Sequence, residues 1–310
     1  MKRIVISEFM DAPAVARLKG RFEVDYRQDL VDDPAALAAA LAEADGWIVR
    51  NRTQVRASLL EHAPKLRVVG RLGVGLDNID TAACAAREIA VIPATGANAQ
   101  AVAEYVIATA MLLLRGAYAS TSDVAAGRWP RAALSEGREL AGKTLGLIGF
   151  GGIGRLTGRL ARALGMHAIG YDAALAPQAD AWRDDATSPV ALDALLARAD
   201  VVSLHVPLTQ ETRRLIDARR LATMKHDAIL INTSRGGVVD EAALASALRD
   251  RRLGGAALDV FEAEPLPARG VLDGCPNLLL TPHIAGVTRE SNTRVSAMIA
   301  ERVAAALAGA

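Results

Sequence analysis

The sequence predicts an α/β fold with two doubly wound parallel-sheet domains, and three observations carry that reading. Short β-branched runs alternate with Ala- and Leu-rich stretches from end to end, the pattern of βαβ units. The alternation falls into two series, separated by the loop Pro93–Asn98. At 310 residues, 51% hydrophobic and 23% charged, the chain can fill two cores without disulfides.

In the first series, strands are expected at Ile4–Ser7, Trp47–Val49, Arg67–Val69 and Val91–Ile92. A helix over Pro34–Ala44 starts at Asp33, whose carboxylate suits the exposed N–H groups, with Pro34 tolerated at the first helical position. A long helix over Ala99–Arg115 leads into the second series. Its strands are expected at Thr144–Gly149, Ala168–Tyr171, Val201–Leu204, Ile229–Asn232, Ala256–Asp259 and Leu278–Leu280. Helices fall between them at Arg159–Leu164, Leu192–Ala199 and Glu241–Arg249, the last capped by Asp240. A closing helix, Thr288–Ala308, is expected to return to the first domain. That assigns residues 1–97 and 285–310 to one domain and 98–284 to the other, with a cleft between them as the expected site.

Composition excludes several classes. Lys+Arg 36 against Asp+Glu 35 leaves a net charge of +1, which offers no basic field for nucleic acid or an anionic membrane. The longest apolar stretch, Tyr105–Leu114, is too short to span a bilayer, and Met1–Ser7 reads as a strand rather than a signal peptide. The two cysteines, Cys84 and Cys275, have no metal-ligand spacing, and no other metal pattern occurs. A cytoplasmic soluble protein without a metal is expected.

Thr144–Ile148 runs straight into G-x-G-x-x-G, formed by Gly149, Gly151 and Gly154. Gly149 permits a tight turn, Gly151 lets backbone N–H groups approach a pyrophosphate, and Gly154 lets the following helix pack on the strand. The helix N-terminus adds partial positive charge. The next strand ends at Asp172, where a carboxylate accepts hydrogen bonds from an adenosine ribose. The same carboxylate repels a 2′-phosphate, and Ala173 and Ala174 supply no cation for one, so NAD is favoured over NADP. A methyltransferase also uses a Gly-rich βα turn, but it has no need of the third glycine.

Three ionisable residues follow successive strands of the second series: Arg235, Glu264 and His283. Hydride chemistry on a 2-keto acid needs a cation for the carboxylate, a proton donor for the carbonyl oxygen, and a group that tunes the donor. Arg meets a carboxylate with a planar fork, His titrates near neutrality, and a Glu beside it favours the imidazolium. Of the remaining histidines, His62 and His226 look like helix-end residues and His167 opens a strand; His205 reads as a wall of the cofactor pocket.

With these residues in place, the chain resembles the D-isomer-specific 2-hydroxyacid dehydrogenase family over its whole length. The stretches that carry the likeness are Gly149–Gly154 with Asp172, His205–Thr209, Asn232–Asp240, Ala257–Pro265 and Pro282–Thr288. The resemblance implies two Rossmann-like domains with a deep cleft, and a homodimer formed through the cofactor domain near Ala99–Arg138. It implies Arg235 for the substrate carboxylate, His283 as acid/base and Glu264 as its partner. Asp259 is implied at the nicotinamide end, with Gly152, Ile153, His205, Val206, Pro207, Thr233, Ser234, Ala285 and Gly286 around the cofactor. Ala285 stands where other members have Gly, adding a methyl group there. Ile48–Thr53 and Val69–Asp80 resemble the 3-phosphoglycerate dehydrogenase branch, without the C-terminal regulatory domain of many of its members, and Ile6–Asp11 and Pro282–Thr288 resemble its sulfolactate-acting relatives.

Arg50 and Arg71 each follow a candidate strand of the first domain. They suit a second anion at C3 of the substrate, as in D-3-phosphoglycerate or (S)-sulfolactate, with Val74 and Gly75 completing the candidate substrate-binding set. On resemblance alone, Arg131 reaches the same anion from a neighbouring subunit. The alternatives are a glyoxylate/hydroxypyruvate reductase and, in a different class, a dinucleotide-sensing corepressor that binds protein partners.

Overall fold

In the computed structural model, residues 1–116 and 120–309 are described; they form two compact units, Met1–Asn98 with Val287 onward, and Ala99–Gly286. Residues 117–119, within the segment expected at a subunit contact, lie outside the described residues.

The first unit runs β1 (Arg3–Ile6), α1 (Ala12–Lys19), β2 (Glu23–Tyr26), α2 (Pro34–Leu41), β3 (Gly46–Val49), α3 (Ala57–Leu60), β4 (Val68–Arg71), α4 (Thr81–Ala86) and β5 (Ala90–Pro93). Its five strands are all parallel, in the order β2-β1-β3-β4-β5. The central strands are buried on both faces, and the two-residue period sorts their side chains. Ile4, Ile6, Ile48 and Val68 pack on one side with α1 and the closing helix, while Val5, Trp47, Val49 and Val69 pack on the other. The closing helix lies directly on β4: a Cβ at Gly70 would meet Val303 at 2.6 Å and Ile299 at 2.8 Å.

The second unit opens with α5 (Ala99–Arg115), α6 (Thr121–Ala125) and α7 (Arg131–Leu134). It continues with β6 (Thr144–Ile148), α8 (Gly152–Ala163), β7 (His167–Tyr171), α9 (Asp180–Asp184), β8 (Ser188–Pro189), α10 (Leu192–Arg198) and β9 (Val201–Leu204). Then come α11 (Ala218–Thr223), β10 (Ile229–Asn232), α12 (Glu241–Arg249), β11 (Gly255–Leu258) and β12 (Leu278–Leu280), before α13 (Arg289–Ala308) closes the first unit. The seven strands are parallel, in the order β12-β11-β10-β9-β6-β7-β8. Chain order therefore reverses between β6 and β9, and this is where an open α/β sheet leaves a crevice at its carboxyl edge.

The expected helix starts carry their caps. Asp33 accepts from Ala36 N at 2.9 Å, Asp240 accepts from Ala243 N at 3.0 Å, and Thr288 and Ser291 form a reciprocal capping box on α13. Two strands escape the sequence reading. Edge strand β2 is polar and half-exposed, and edge strand β8 has two residues, one of them Pro189; neither shows a buried apolar run. Two boundaries also move. Arg71 is the last residue of β4 rather than a loop residue beyond it, and α8 begins at Gly152, seven residues ahead of the expected Arg159.

Candidate active site

The turn from β6 to α8 is built as its glycines require. Gly149 has φ +94°, and a Cβ there would meet His205 O at 2.5 Å. A Cβ at Gly154 would meet Gly149 O at 2.2 Å, so only glycine lets the helix close on the strand. Gly151 and Gly152 are different: a Cβ at either meets nothing within 4 Å. Gly151 is the N-cap and no side chain caps the helix. Uncapped N–H groups facing open space fit a pyrophosphate. Ile153 is half-buried beside them.

Asp172, just past β7, receives Phe150 N at 2.7 Å on Oδ2 and Ala174 N at 2.9 Å on Oδ1. It thus holds the phosphate turn in shape as well as presenting a carboxylate, a role the spacing alone did not reveal. Arg155, the cation in the first turns of α8, is already bound by the buried Asp185, together with Arg159. Neither arginine is free for a 2′-phosphate, which agrees with the preference for NAD.

Past β9, the His205 ring contacts Ser203 Oγ at 3.0 Å and lies 3.5 Å from where a Gly154 Cβ would sit, so it packs against the glycine turn. Burial pulls its pKa from 6.5 to about 4, and the ring is neutral at physiological pH. Val206 is half-buried and Pro207 exposed in the same loop.

Beyond β10, buried Asn232 organises the Arg235 loop. Its Oδ1 accepts from Ser234 N at 3.0 Å and Ser234 Oγ at 2.7 Å, while its Nδ2 donates to Arg235 O at 2.9 Å. The Arg235 side chain is half-buried, with Nη1 donating to Ser234 O at 2.6 Å. Thr233 Oγ1 is buried and finds no partner among the described residues, which suits a cofactor group.

Glu264 and His283 meet across the ends of β11 and β12. His283 Nδ1 lies 2.8 Å from Glu264 Oε2, and Glu264 Oε1 accepts from Phe261 N at 3.1 Å. With Nδ1 turned to the carboxylate, Nε2 is the nitrogen left for chemistry. His283 has φ +56°, a left-handed conformation uncommon outside glycine. Asp259, 1% exposed, holds it there: Oδ1 accepts from Ile284 N at 2.8 Å and Thr281 Oγ1 at 2.6 Å, and Oδ2 accepts from Ala285 N at 2.8 Å. Since Thr281 gives its proton to Asp259, Tyr105 OH must donate to Thr281 Oγ1, at 2.6 Å. Ala285 is buried, its backbone outside the left-handed region, so the methyl group that departs from the resemblance brings no backbone strain.

In the first unit, β3 and β4 are neighbours with Val49 opposite Arg71, so Arg50 and Arg71 share one carboxyl edge. Arg50 Nη2 donates to Asn292 Oδ1 at 2.9 Å and the guanidinium stacks 5.6 Å from the Phe9 ring centre. Burial lowers the Arg50 pKa from its usual value, opposed by the nearby Glu8 carboxylate. Arg71 folds back on its own loop, Nη1 donating to Leu72 O at 3.0 Å over Gly73. Val74 and Gly75 follow in the same half-buried loop. Sequence reading gave no role to Tyr105, Thr281, Glu8, Asn78 or Asn292, although Glu8 and Asn78 lie within the resembling stretches Ile6–Asp11 and Val69–Asp80. Among the described residues no cluster of three or more His, Cys, Asp or Glu is placed to hold a metal, and no helix is long and apolar enough to cross a membrane.

A glycine turn at the reversal of a parallel sheet, an acid just past the next strand, and Arg, Glu and His in the loops after three adjacent strands define a dinucleotide-dependent oxidoreductase. The family model "D-isomer specific 2-hydroxyacid dehydrogenase, NAD binding domain" matches residues 107–285. (S)-Sulfolactate dehydrogenase of Chromohalobacter salexigens is 54% identical over 307 residues, covering 99% of both chains. D-3-Phosphoglycerate dehydrogenase of Mycobacterium leprae is 39% identical over 99% of this chain, which spans 57% of that longer protein. The structure of D-lactate dehydrogenase from Aquifex aeolicus, solved with NAD and lactic acid, superposes with TM-score 0.86 at 29% identity, covering 99% of this chain and 96% of that one. The chain belongs to the D-isomer-specific 2-hydroxyacid dehydrogenase family, and it is an NAD-dependent oxidoreductase.

Proposed function

We propose that the protein interconverts a small D-configured 2-hydroxy acid bearing a second anion at C3 with its 2-keto acid, and that the substrate is (S)-sulfolactate. The observation that carries this is Arg50. It is half-buried, held by Asn292 and Phe9, and makes no ion pair among the described residues. A positioned cation of this kind, with Arg71 on the adjacent strand, suits a sulfonate or phosphate through charge-assisted hydrogen bonds, whereas pyruvate offers it nothing. The 54% identity with a sulfolactate dehydrogenase supports the sulfonate over the phosphate. The hydroxyl configuration is the same in both acids; the (S) descriptor arises because the sulfur-bearing carbon outranks the carboxylate.

The roles follow from chemistry. NAD, when bound, accepts or returns the hydride. Gly151, Gly152 and Ile153 at the start of α8 receive its pyrophosphate and Asp172 its adenosine ribose, with Thr233 and Asp259 toward the nicotinamide. Arg235 grips the substrate carboxylate with its planar fork. His283 gives a proton from Nε2 to the carbonyl oxygen during reduction and takes it back during oxidation. Glu264 fixes the ring through Nδ1, which leaves Nε2 to exchange the proton with the substrate oxygen. Val74 and Gly75 offer backbone groups beside the substrate. Residues 1–97 with the closing helix then form the substrate domain, and 98–284 the cofactor domain. Exposed Val124 and Trp129 support a homodimer through residues 99–138, and the free Cys84 and Cys275 support a cytoplasmic setting.

The test is an NADH-oxidation screen over sulfopyruvate, phosphohydroxypyruvate, hydroxypyruvate, glyoxylate and pyruvate, with Arg50→Ala and Arg71→Ala beside wild type. Sulfopyruvate is expected to exceed pyruvate in kcat/KM by at least about tenfold, or about 1.4 kcal/mol, and to lose that margin in the variants. Equal turnover of pyruvate or glyoxylate, unchanged in the variants, removes the dianion reading and leaves a general 2-hydroxyacid dehydrogenase.

A further inference from the structure

Glu8 is 5% exposed, and its carboxylate is met by backbone rather than by a cation. Oε1 accepts from Arg50 N at 2.8 Å and from Thr53 N at 3.0 Å, and Oε2 accepts from Arg52 N at 3.1 Å. Asn78, also buried, works on the same loop from the carbonyl side: its Nδ2 donates to Arg50 O at 3.1 Å and to Thr53 O at 2.7 Å. Ser7 ties the loop's far end to the core, with Oγ 3.2 Å from Thr53 Oγ1 and receiving Trp47 Nε1 at 3.1 Å. Arg52, in contrast, points its guanidinium to Asp32 on the exposed side.

A buried carboxylate is costly, and here the cost is offset by three hydrogen bonds from one short loop and by the nearby charge of Arg50. An apolar residue could close such a loop without that desolvation. What the carboxylate adds is a fixed backbone at Arg50, with its N–H and C=O both held, and a negative charge close to the guanidinium. An anion clamp gains from such preorganisation, because a long Arg side chain otherwise loses rotamer freedom on binding.

We propose that Glu8 is a positioning residue for specificity: by fixing the backbone of Arg50, it sets the guanidinium that clamps the second anion of the substrate. This rests on the substrate reading above. The experiment is a double-mutant cycle read on two keto acids. kcat/KM for sulfopyruvate and for pyruvate is measured in wild type, Glu8→Gln, Arg50→Gln and the double variant, with NADH affinity by fluorescence alongside. Glu8→Gln is expected to lower the sulfopyruvate-to-pyruvate ratio at least about fivefold, almost wholly through KM for sulfopyruvate. Pyruvate kcat/KM, kcat and NADH affinity stay within about twofold, and in the Arg50→Gln background Glu8→Gln adds less than about twofold. If Glu8→Gln loses its melting transition, Asn78→Ser, which releases the same loop from its carbonyl side, is read by the same ratios. Equal loss on both keto acids, or full additivity with Arg50→Gln, overturns the inference. A wild-type enzyme without preference for sulfopyruvate overturns the substrate reading and the inference with it; a wild-type preference that survives Glu8→Gln overturns the inference alone.

Discussion

Gly151 and Gly154 lie three residues apart in one turn, yet the structure assigns the same substitution opposite consequences. At Gly154 a Cβ would sit 2.2 Å from the carbonyl oxygen of Gly149, so Gly154→Ala must push helix α8 off strand β6. Overpacking of this kind costs about 1–3 kcal/mol, and at about 2–4 °C per kcal/mol the unit should melt about 2–12 °C lower. At Gly151 the backbone, φ −76° and ψ −165°, is open to alanine, and a Cβ meets nothing within 4 Å. Gly151→Ala should therefore keep its Tm or raise it slightly, since alanine loses less entropy on folding. Its methyl group stands instead in the open space proposed for the pyrophosphate, and the Kd for NADH should rise at least about tenfold, or about 1.4 kcal/mol. Differential scanning calorimetry and NADH fluorescence titration separate the two. A Gly154→Ala protein with wild-type Tm, or a Gly151→Ala protein that binds NADH as wild type does, would falsify this account of the turn.

His283→Ala is expected to cut turnover about 10²–10⁴-fold with NADH affinity unchanged, and Arg235→Lys to lower kcat/KM about 10²-fold by losing the planar fork; steady-state kinetics with fluorescence titration checks both. Asp172→Ala should raise the NADH Kd about tenfold and narrow the preference over NADPH, and comparable affinity of wild type for the two cofactors would contradict the role of Asp172. For pH, the sign follows from His205, whose folded pKa is depressed from 6.5 to about 4. Above pH 6.5 the ring is neutral folded and unfolded; as pH falls from there toward 4 only the unfolded chain gains a proton, so stability drops, by about 2 kcal/mol between pH 7 and 5. Melting curves should show this part of the acid loss missing in His205→Asn, and NMR should find the His205 ring unprotonated at pH 5.

The legible parts of the sequence were those where physics forces a local pattern. Buried parallel strands such as Val201–Leu204 and Ile229–Asn232 read as apolar runs because both faces are covered. The glycine turn read as a motif because it needs particular residues at fixed spacing. Arg235, Glu264 and His283 were singled out by counting strand ends, the pairing of Glu264 with His283 was implied by the resemblance, and its geometry, Nδ1 to Oε2, is visible only in three dimensions. Asp172 was found for its carboxylate, but its bond to Phe150 N is a contact between loops 22 residues apart. Glu8 and Asn78 lie inside stretches that carry the family resemblance, but nothing in the sequence marked their role, since each acts on backbone atoms of the loop 50–53 from elsewhere in the chain. Side chains that hold other groups in place have no periodicity and no obligatory neighbour.

The arrangement of the second sheet explains why its chemistry needs no contiguous motif. From the reversal between β6 and β9, the chain lays β7 and β8 to one side and β9, β10, β11 and β12 to the other. Parallel strands are about 4.8 Å apart, so the edge from β6 to β12 spans about 19 Å in four steps. Asp172 ends the strand on the short side, while Arg235, Glu264 and His283 end or follow three consecutive strands on the long side. Each of these loops is free to differ in length, and the strands still deliver their residues to one edge. Glu264 reaches His283 because β11 and β12 are hydrogen-bonded neighbours, with Leu258 opposite Leu280. The register of two strands thus sets the partner of His283, the proposed acid–base group, and a substitution that slipped β12 by one residue would separate His283 from Glu264 without altering either.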